Sequence, residues 1–108
     1  IRFTKQAEEM IDRGARMLVY PAAFNLTTGP RHWELLFRAR AVDGQCFAIG
    51  VAPARNTESS YVSWGHTIVV DPWGVVKEDF GTAAVTRVVC VDLDTVKDVR
   101  CQIPLGRQ

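Results

Sequence analysis

The sequence predicts an α/β domain on a mixed sheet, and three observations carry that reading. Two continuous apolar runs, "RMLVY" and "QCFAIGVA", bracket the helix-patterned stretch "RHWELLFRARAVD". Two β-branched runs then flank Asp71-Pro72-Trp73-Gly74, where Asp at i, Pro at i+1 and Gly at i+3 suit a type I turn between hairpin strands. Helix-patterned segments open and close the chain. Strand–helix–strand implies a right-handed crossover with parallel pairing, whereas the hairpin adds antiparallel strands.

In order, Thr4 to Ala15 combines good helix formers with a stop at Gly14, and Ala7, Met10 and Ile11 give it one apolar face. Thr4 is a candidate cap without a capping box, since Ala7 stands three residues on. Arg16 to Tyr20 is apolar throughout, the pattern of a strand covered on both faces. A loop rich in Pro, Asn, Thr and Gly follows, with Phe24 expected to be exposed. Pro30 suits the first position of a second helix, whose Trp33, Leu36, Phe37, Arg40 and Ala41 fall on neighbouring turns. Gln45 to Ala52 reads as a buried strand, and Pro53 to Gly65 as a long, turn-rich loop. After the hairpin, "AVTRVVCVDL" is expected to form a further strand, and "DLDTVKDVRCQ" a short helix capped by Asp92 or Asp94. A sheet with helices on one face only leaves the other bare, so closure needs more chain or a partner.

A chain of 108 residues forms one domain with a modest core, and 47% hydrophobic with 23% charged residues is ordinary for a soluble globular protein. Thirteen Lys and Arg against twelve Asp and Glu give a net charge of +1, with no electrostatic reason to expect nucleic acid or an anionic membrane as partner. No apolar run approaches the ~18 residues of a membrane span. Charge at position 2 followed by polar, helical sequence does not read as a signal peptide. Cys46, Cys90 and Cys101 lack framework spacing and read as reduced thiols of a cytoplasmic protein. The chain opens at Ile1 as though within an element, which suggests a fragment or a processed chain.

Few residues stand out for chemistry. Cys46 and Cys90 lie in apolar runs, where desolvation makes a thiol inert, and Cys101 reads as peripheral. His32 and His66 have no Cys or His at ligand spacing, so no metal is expected. His32, in a first helical turn, could polarise a substrate or bond a neighbouring loop; His66 reads as a packing residue. No glycine pattern matches a phosphate cradle, and Glu8-Glu9 and Glu78-Asp79 read as solvated surface. Arg2 could grip a carboxylate in bidentate fashion or pair with a nearby acid.

The strings "IRF", "LVYPAAFNLTTGPRHWELLFRARAVDGQ", "APAR", "SYVSWGHTIVVDPWG" and "QIPLGRQ" together resemble the carbon–nitrogen hydrolases of the nitrilase superfamily, and within it the omega-amidase branch. The resemblance covers nearly the whole chain. It implies a four-layer α-β-β-α sandwich of which residues 1–108 form the C-terminal half, and a Cys–Glu–Lys constellation without a cofactor. Ile1-Arg2-Phe3 matches the end of the string that carries the nucleophile, so all three catalytic groups are expected upstream. What remains is the substrate side, where the resemblance implies that Arg2 holds a carboxylate, Thr28 assists it, and Phe24 and Asn25 shape the pocket floor, with Trp33 and Arg40 expected to be structural. The chain departs from the family pattern at Thr4-Lys5-Gln6, where Pro-Glu-Leu is usual, and mildly at Ala22.

The function so implied is part of an omega-amidase-like hydrolase acting on the terminal carboxamide of a dicarboxylic acid monoamide. The expected partners are that small-molecule carboxylate amide and either further copies in a homo-oligomer, such as a dimer, or an N-terminal half. The alternatives are a non-catalytic assembly module and a nitrilase-family amidase for another substrate.

Overall fold

The computed structural model describes residues 1–107. Helix α1 spans Lys5–Asp12. Gly14, at φ 98°, ends it in the left-handed conformation that glycine adopts without steric cost. Its inward face is Ala7 and Ile11; Met10, expected there, points largely to solvent. Thr4 precedes the helix without a side-chain cap bond.

Strand β1 (Met17–Pro21) leads through the loop into a single π-helical turn, Gly29–Trp33, continued by α2 (Glu34–Gly44). Strand β2 (Phe47–Val51) pairs with β1 in parallel, Met17 opposite Phe47 through Pro21 opposite Val51. Strands β3 (Ile68–Val70) and β4 (Val76–Asp79) form the expected hairpin, and the sheet order is β1-β2-β3-β4. At its turn the Gly74 amide donates to the Asp71 carbonyl at 2.9 Å, while Asp71 Oδ1 accepts from the amides of Trp73 and Val75. Helix α3 (Asp94–Gln102) starts one residue past Leu93, with Asp92 Oδ1 accepting from the Asp94 amide.

One face of the sheet carries the core. Trp33, Phe37 and Ala41 of the helical layer lie on Ala48, Ile68 and Val70, with Phe24 at the edge. The side chain missing at Gly50 is what lets Phe37 and Trp33 approach β2 closely. A second cluster, Ala7, Ile11, Leu18 and Cys46, seats α1. The molecule measures 47 × 28 × 20 Å, and a thickness of 20 Å is that of one sheet and one layer of helices.

The other face is open. Val19 is 54% exposed and Val51 45%, so β1 is covered on one face rather than on both as its apolar run suggested. Residues 83–92 also depart from expectation: they form no strand, and Val88 is fully exposed. Strand propensity is realised only against a neighbouring edge, and this segment pairs with none of the four strands. It is tied back by Arg87, whose guanidinium sits over Phe80 and 4.0 Å from Glu78. Among the described residues no helix is long and apolar enough to cross a membrane.

Candidate functional site

The site forms where the chain start meets the loop at the carboxyl end of β1. Arg40, almost fully buried, donates from Nη2 to the Ile1 carbonyl at 2.9 Å and from Nη1 to Asp43 at 3.1 Å. That fixes Ile1 and gives the exposed Arg2 a stationary base. The Arg2 guanidinium lies over the Phe24 ring, 4.7 Å from its centroid, a cation–π contact. Its Nη1 donates to His32 Nδ1 at 3.2 Å. A guanidinium has only donors, so Nδ1 presents its lone pair there and the neutral imidazole carries its hydrogen on Nε2.

Phe24 is buried, correcting the expectation of an exposed Phe. Its ring meets Trp33 edge-on at 5.1 Å, and Trp33 meets Phe37 at 4.7 Å. Trp33 Nε1 donates to the His66 carbonyl at 2.7 Å, so the aromatic row is tethered at its middle ring. Trp33 and Arg40 therefore have the structural roles expected of them.

Asn25 organises the loop. Its Oδ1 accepts from the amides of Thr27 and Thr28, at 3.0 and 2.9 Å, and from the Thr28 hydroxyl at 3.1 Å. The Thr28 hydroxyl thus spends its one hydrogen on Asn25 and turns lone pairs outward; it can donate to a carboxylate only by releasing that bond. Arg31 closes the loop by donating to the Thr27 carbonyl at 2.7 Å. From the far side Tyr61 donates to the Ala23 carbonyl and the Trp64 amide to that of Phe24. A side chain at Gly29 would overlap the Trp64 ring, so this loop closure requires glycine. The structure brings Arg2, Phe24 and His32 into contact, while Asn25 and Thr28 bond to each other in the loop that follows Phe24, with Arg2 and Asn25 exposed.

A second cluster was not visible in the sequence. His66, at φ 62°, donates from Nδ1 to the Asp79 carboxylate at 2.9 Å and stacks on Trp64 at 4.7 Å. Arg55 lies 4.5 Å over the same Trp64 ring. His66 was expected to pack and Asp79 to be solvated, and their 13-residue separation gave no signal of the pair. His66 lines a cleft of about 290 Å³ with Ala52, Phe80 and Ala83–Thr86, a cleft lined by none of Arg2, Phe24, Asn25 or Thr28. The Thr67 hydroxyl beside the same cleft is occupied with the Ala52 backbone. The cluster closes the long loop onto the hairpin.

Cys46 is fully buried, and burial pushes its thiol up to about 11 against a partial counter-effect of Arg100, so it is a poor nucleophile. Cys90 is exposed rather than buried, because the segment that carries it is not a strand. Cys101 is exposed on α3.

The carbon-nitrogen hydrolase family model matches residues 1–101. Over all 108 residues the chain is 50% identical to Omega-amidase NIT2 of Mus musculus and 49% identical to that of Homo sapiens. It spans 39% of the length of each. The structure of Saccharomyces cerevisiae Nit3, a member of branch 10 of the nitrilase superfamily, superposes with a TM-score of 0.93 at 41% identity, over 99% of this chain and 40% of that one. The C. elegans NitFhit protein superposes at 0.85 with 37% identity, over 96% of this chain and 25% of that one. The α/β class and the mixed sheet are those of these structures.

Proposed function

This chain belongs to the carbon–nitrogen hydrolase family, and we propose that it supplies the substrate-recognising wall of an omega-amidase-like hydrolase. Its substrate in this reading is a dicarboxylic acid monoamide, whose terminal carboxamide is cleaved. The Cys nucleophile, Glu base and oxyanion-stabilising Lys lie upstream of Ile1, and residues 1–108 correspond to the C-terminal half of the hydrolase domain. An acyl-enzyme thioester divides the hydrolysis into two easier steps, so the wall's task is to hold the far end of the substrate while the amide reacts.

The observation that carries this reading is Arg2: a guanidinium seated on Phe24, with one donor used on His32 and the others free of hydrogen bonds or ion pairs among the described residues. Such a group suits bidentate capture of a carboxylate. Asn25 holds the loop in shape, Phe24 is the floor, and the Thr28 hydroxyl assists on exchanging its bond to Asn25 for one to the carboxylate. Whole-chain similarity to omega-amidases supports the same substrate class. The thiols fit a reducing, cytoplasmic setting.

The test is an amidase assay on the full-length protein with a 2-oxo dicarboxylic acid monoamide and a neutral amide of equal length. The acidic substrate is expected to give the higher kcat/KM, and Arg2→Gln to remove most of the difference. Equal turnover of both substrates would reject the carboxylate clamp and leave an amidase of other specificity.

The open sheet face favours a complementary reading, in which this chain also packs on a second sheet layer, its own N-terminal half or another copy in a homo-oligomer. Sedimentation of the isolated chain as a compact 12.0 kDa monomer that binds no hydrophobic dye would exclude this.

A further inference from the structure

We infer that His32 is a positioning residue of the site. As a neutral imidazole accepting at Nδ1, it sets the direction in which the Arg2 guanidinium meets the substrate carboxylate. The inference rests on reading Arg2 as the clamp.

Arg2 is exposed and close to the chain start, so without restraint its long side chain would sample many directions. Two contacts restrain it, and they act differently. The Phe24 ring holds the guanidinium at 4.7 Å, but attraction to a ring face is weakly directional and leaves the cation free to turn. The bond from Nη1 to His32 Nδ1 at 3.2 Å removes that freedom, because it fixes one corner of the planar fork. Nε and Nη2 are then left for a ligand.

His32 can do this because its own backbone is held. Its amide donates to the Thr28 carbonyl at 2.7 Å within the π-helical turn, and the next residue, Trp33, is locked by its indole bond to the His66 carbonyl. Single π-helical turns recur at functional sites for this kind of placement. Thr28 therefore bears on the clamp through its carbonyl, which seats the residue that aims Arg2.

A residue that merely tied the loop to the chain start would behave otherwise on substitution. His32→Leu keeps most of the volume and loses the acceptor, whereas His32→Asn places an amide oxygen near the position of Nδ1. In the full-length protein His32→Leu is expected to raise KM for the acidic monoamide about tenfold, the effect of about 1.4 kcal/mol, with kcat and the kinetics on the neutral amide unchanged. His32→Asn is expected to restore KM to within about threefold of the parent. Equal losses on both substrates, or no rescue by Asn, would reduce His32 to a structural contact. If Arg2→Gln raises KM and His32→Leu does not, the inference fails while the clamp stands; if neither does, the clamp fails too. Should His32→Leu not fold, the ring ¹⁵N shifts of His32 in the unaltered protein decide: hydrogen on Nε2 supports the inference, and hydrogen on Nδ1 overturns it.

Discussion

Replacing Gly50 by Ala tests how the core positions the site. A Cβ built there would stand 2.5 Å from Phe37 Cζ, 2.7 Å from Cε2 and 2.8 Å from Trp33 Cζ2. Carbon atoms sit at about 3.5–4.0 Å, so both rings must retreat by roughly 1 Å. Neither has free space: Phe37 and Trp33 are buried, and the indole is tethered to the His66 carbonyl. Overpacking of this kind costs about 3 kcal/mol, and the gain from replacing a strand glycine offsets about 0.5–1, leaving about 2 kcal/mol. Urea denaturation should show that loss as a lower midpoint at unchanged slope, and thermal melting as a fall of roughly 10 °C. Phe37→Leu removes the ring atoms that clash, so the double variant should cost at least about 1 kcal/mol less than the sum of the singles. An unchanged midpoint for Gly50→Ala, or strict additivity, would refute the close-approach account. In the full-length protein the same variant should raise KM for the acidic substrate, since Trp33 carries Phe24 and Phe24 carries Arg2.

The remaining predictions concern thiols and ion pairs. Iodoacetamide at pH 8 should modify Cys90 and Cys101 in the native chain and reach Cys46 only on unfolding, as peptide mass mapping would show. The Cys46 thiol is raised from an ordinary 9.0 to about 11, so the folded state holds this proton more tightly than the unfolded state. The resulting stability is complete below pH 9 and declines as pH rises to 11, by about 2–3 kcal/mol at the limit, a slope that Cys46→Ala should flatten. Arg40→Met removes the bonds to the half-exposed Asp43 and to the Ile1 carbonyl and should cost about 1–2 kcal/mol in urea. Arg87→Ala breaks an exposed pair at 4.0 Å and a cation–π contact with Phe80, and should change stability by no more than about 1 kcal/mol.

Much of the fold was legible because its signals are local. Asp71-Pro72-Trp73-Gly74 specifies its own turn, and the α2 stripe of Trp33, Phe37 and Ala41 follows from helical periodicity alone. The errors share one cause, dependence on a neighbour that local pattern does not encode. Val19 reads as buried because it is apolar, yet burial needs a second layer on that face. "AVTRVVCVDL" has the composition of a strand, yet its backbone finds no edge to join among the described residues, and Cys90 is exposed with it. Met10 is apolar like Ala7 and Ile11, yet it is not part of the cluster of Ala7, Ile11, Leu18 and Cys46 that seats α1.

The site divides along the same line. Asn25 and Thr28 came forward only through the family resemblance, and the three bonds to Asn25 Oδ1 that hold the loop were not anticipated. Arg2 could not be resolved between clamp and ion pair, because the decision belongs to residues 22 and 30 positions away. Among the described residues no acid reaches it; Phe24 and His32 do. A guanidinium held by a ring and an imidazole keeps its full positive charge, whereas one paired with a carboxylate would already be neutralised. Of the two ways to fix an arginine on a surface, only the first leaves it able to attract an anion, and that is the way this chain holds Arg2.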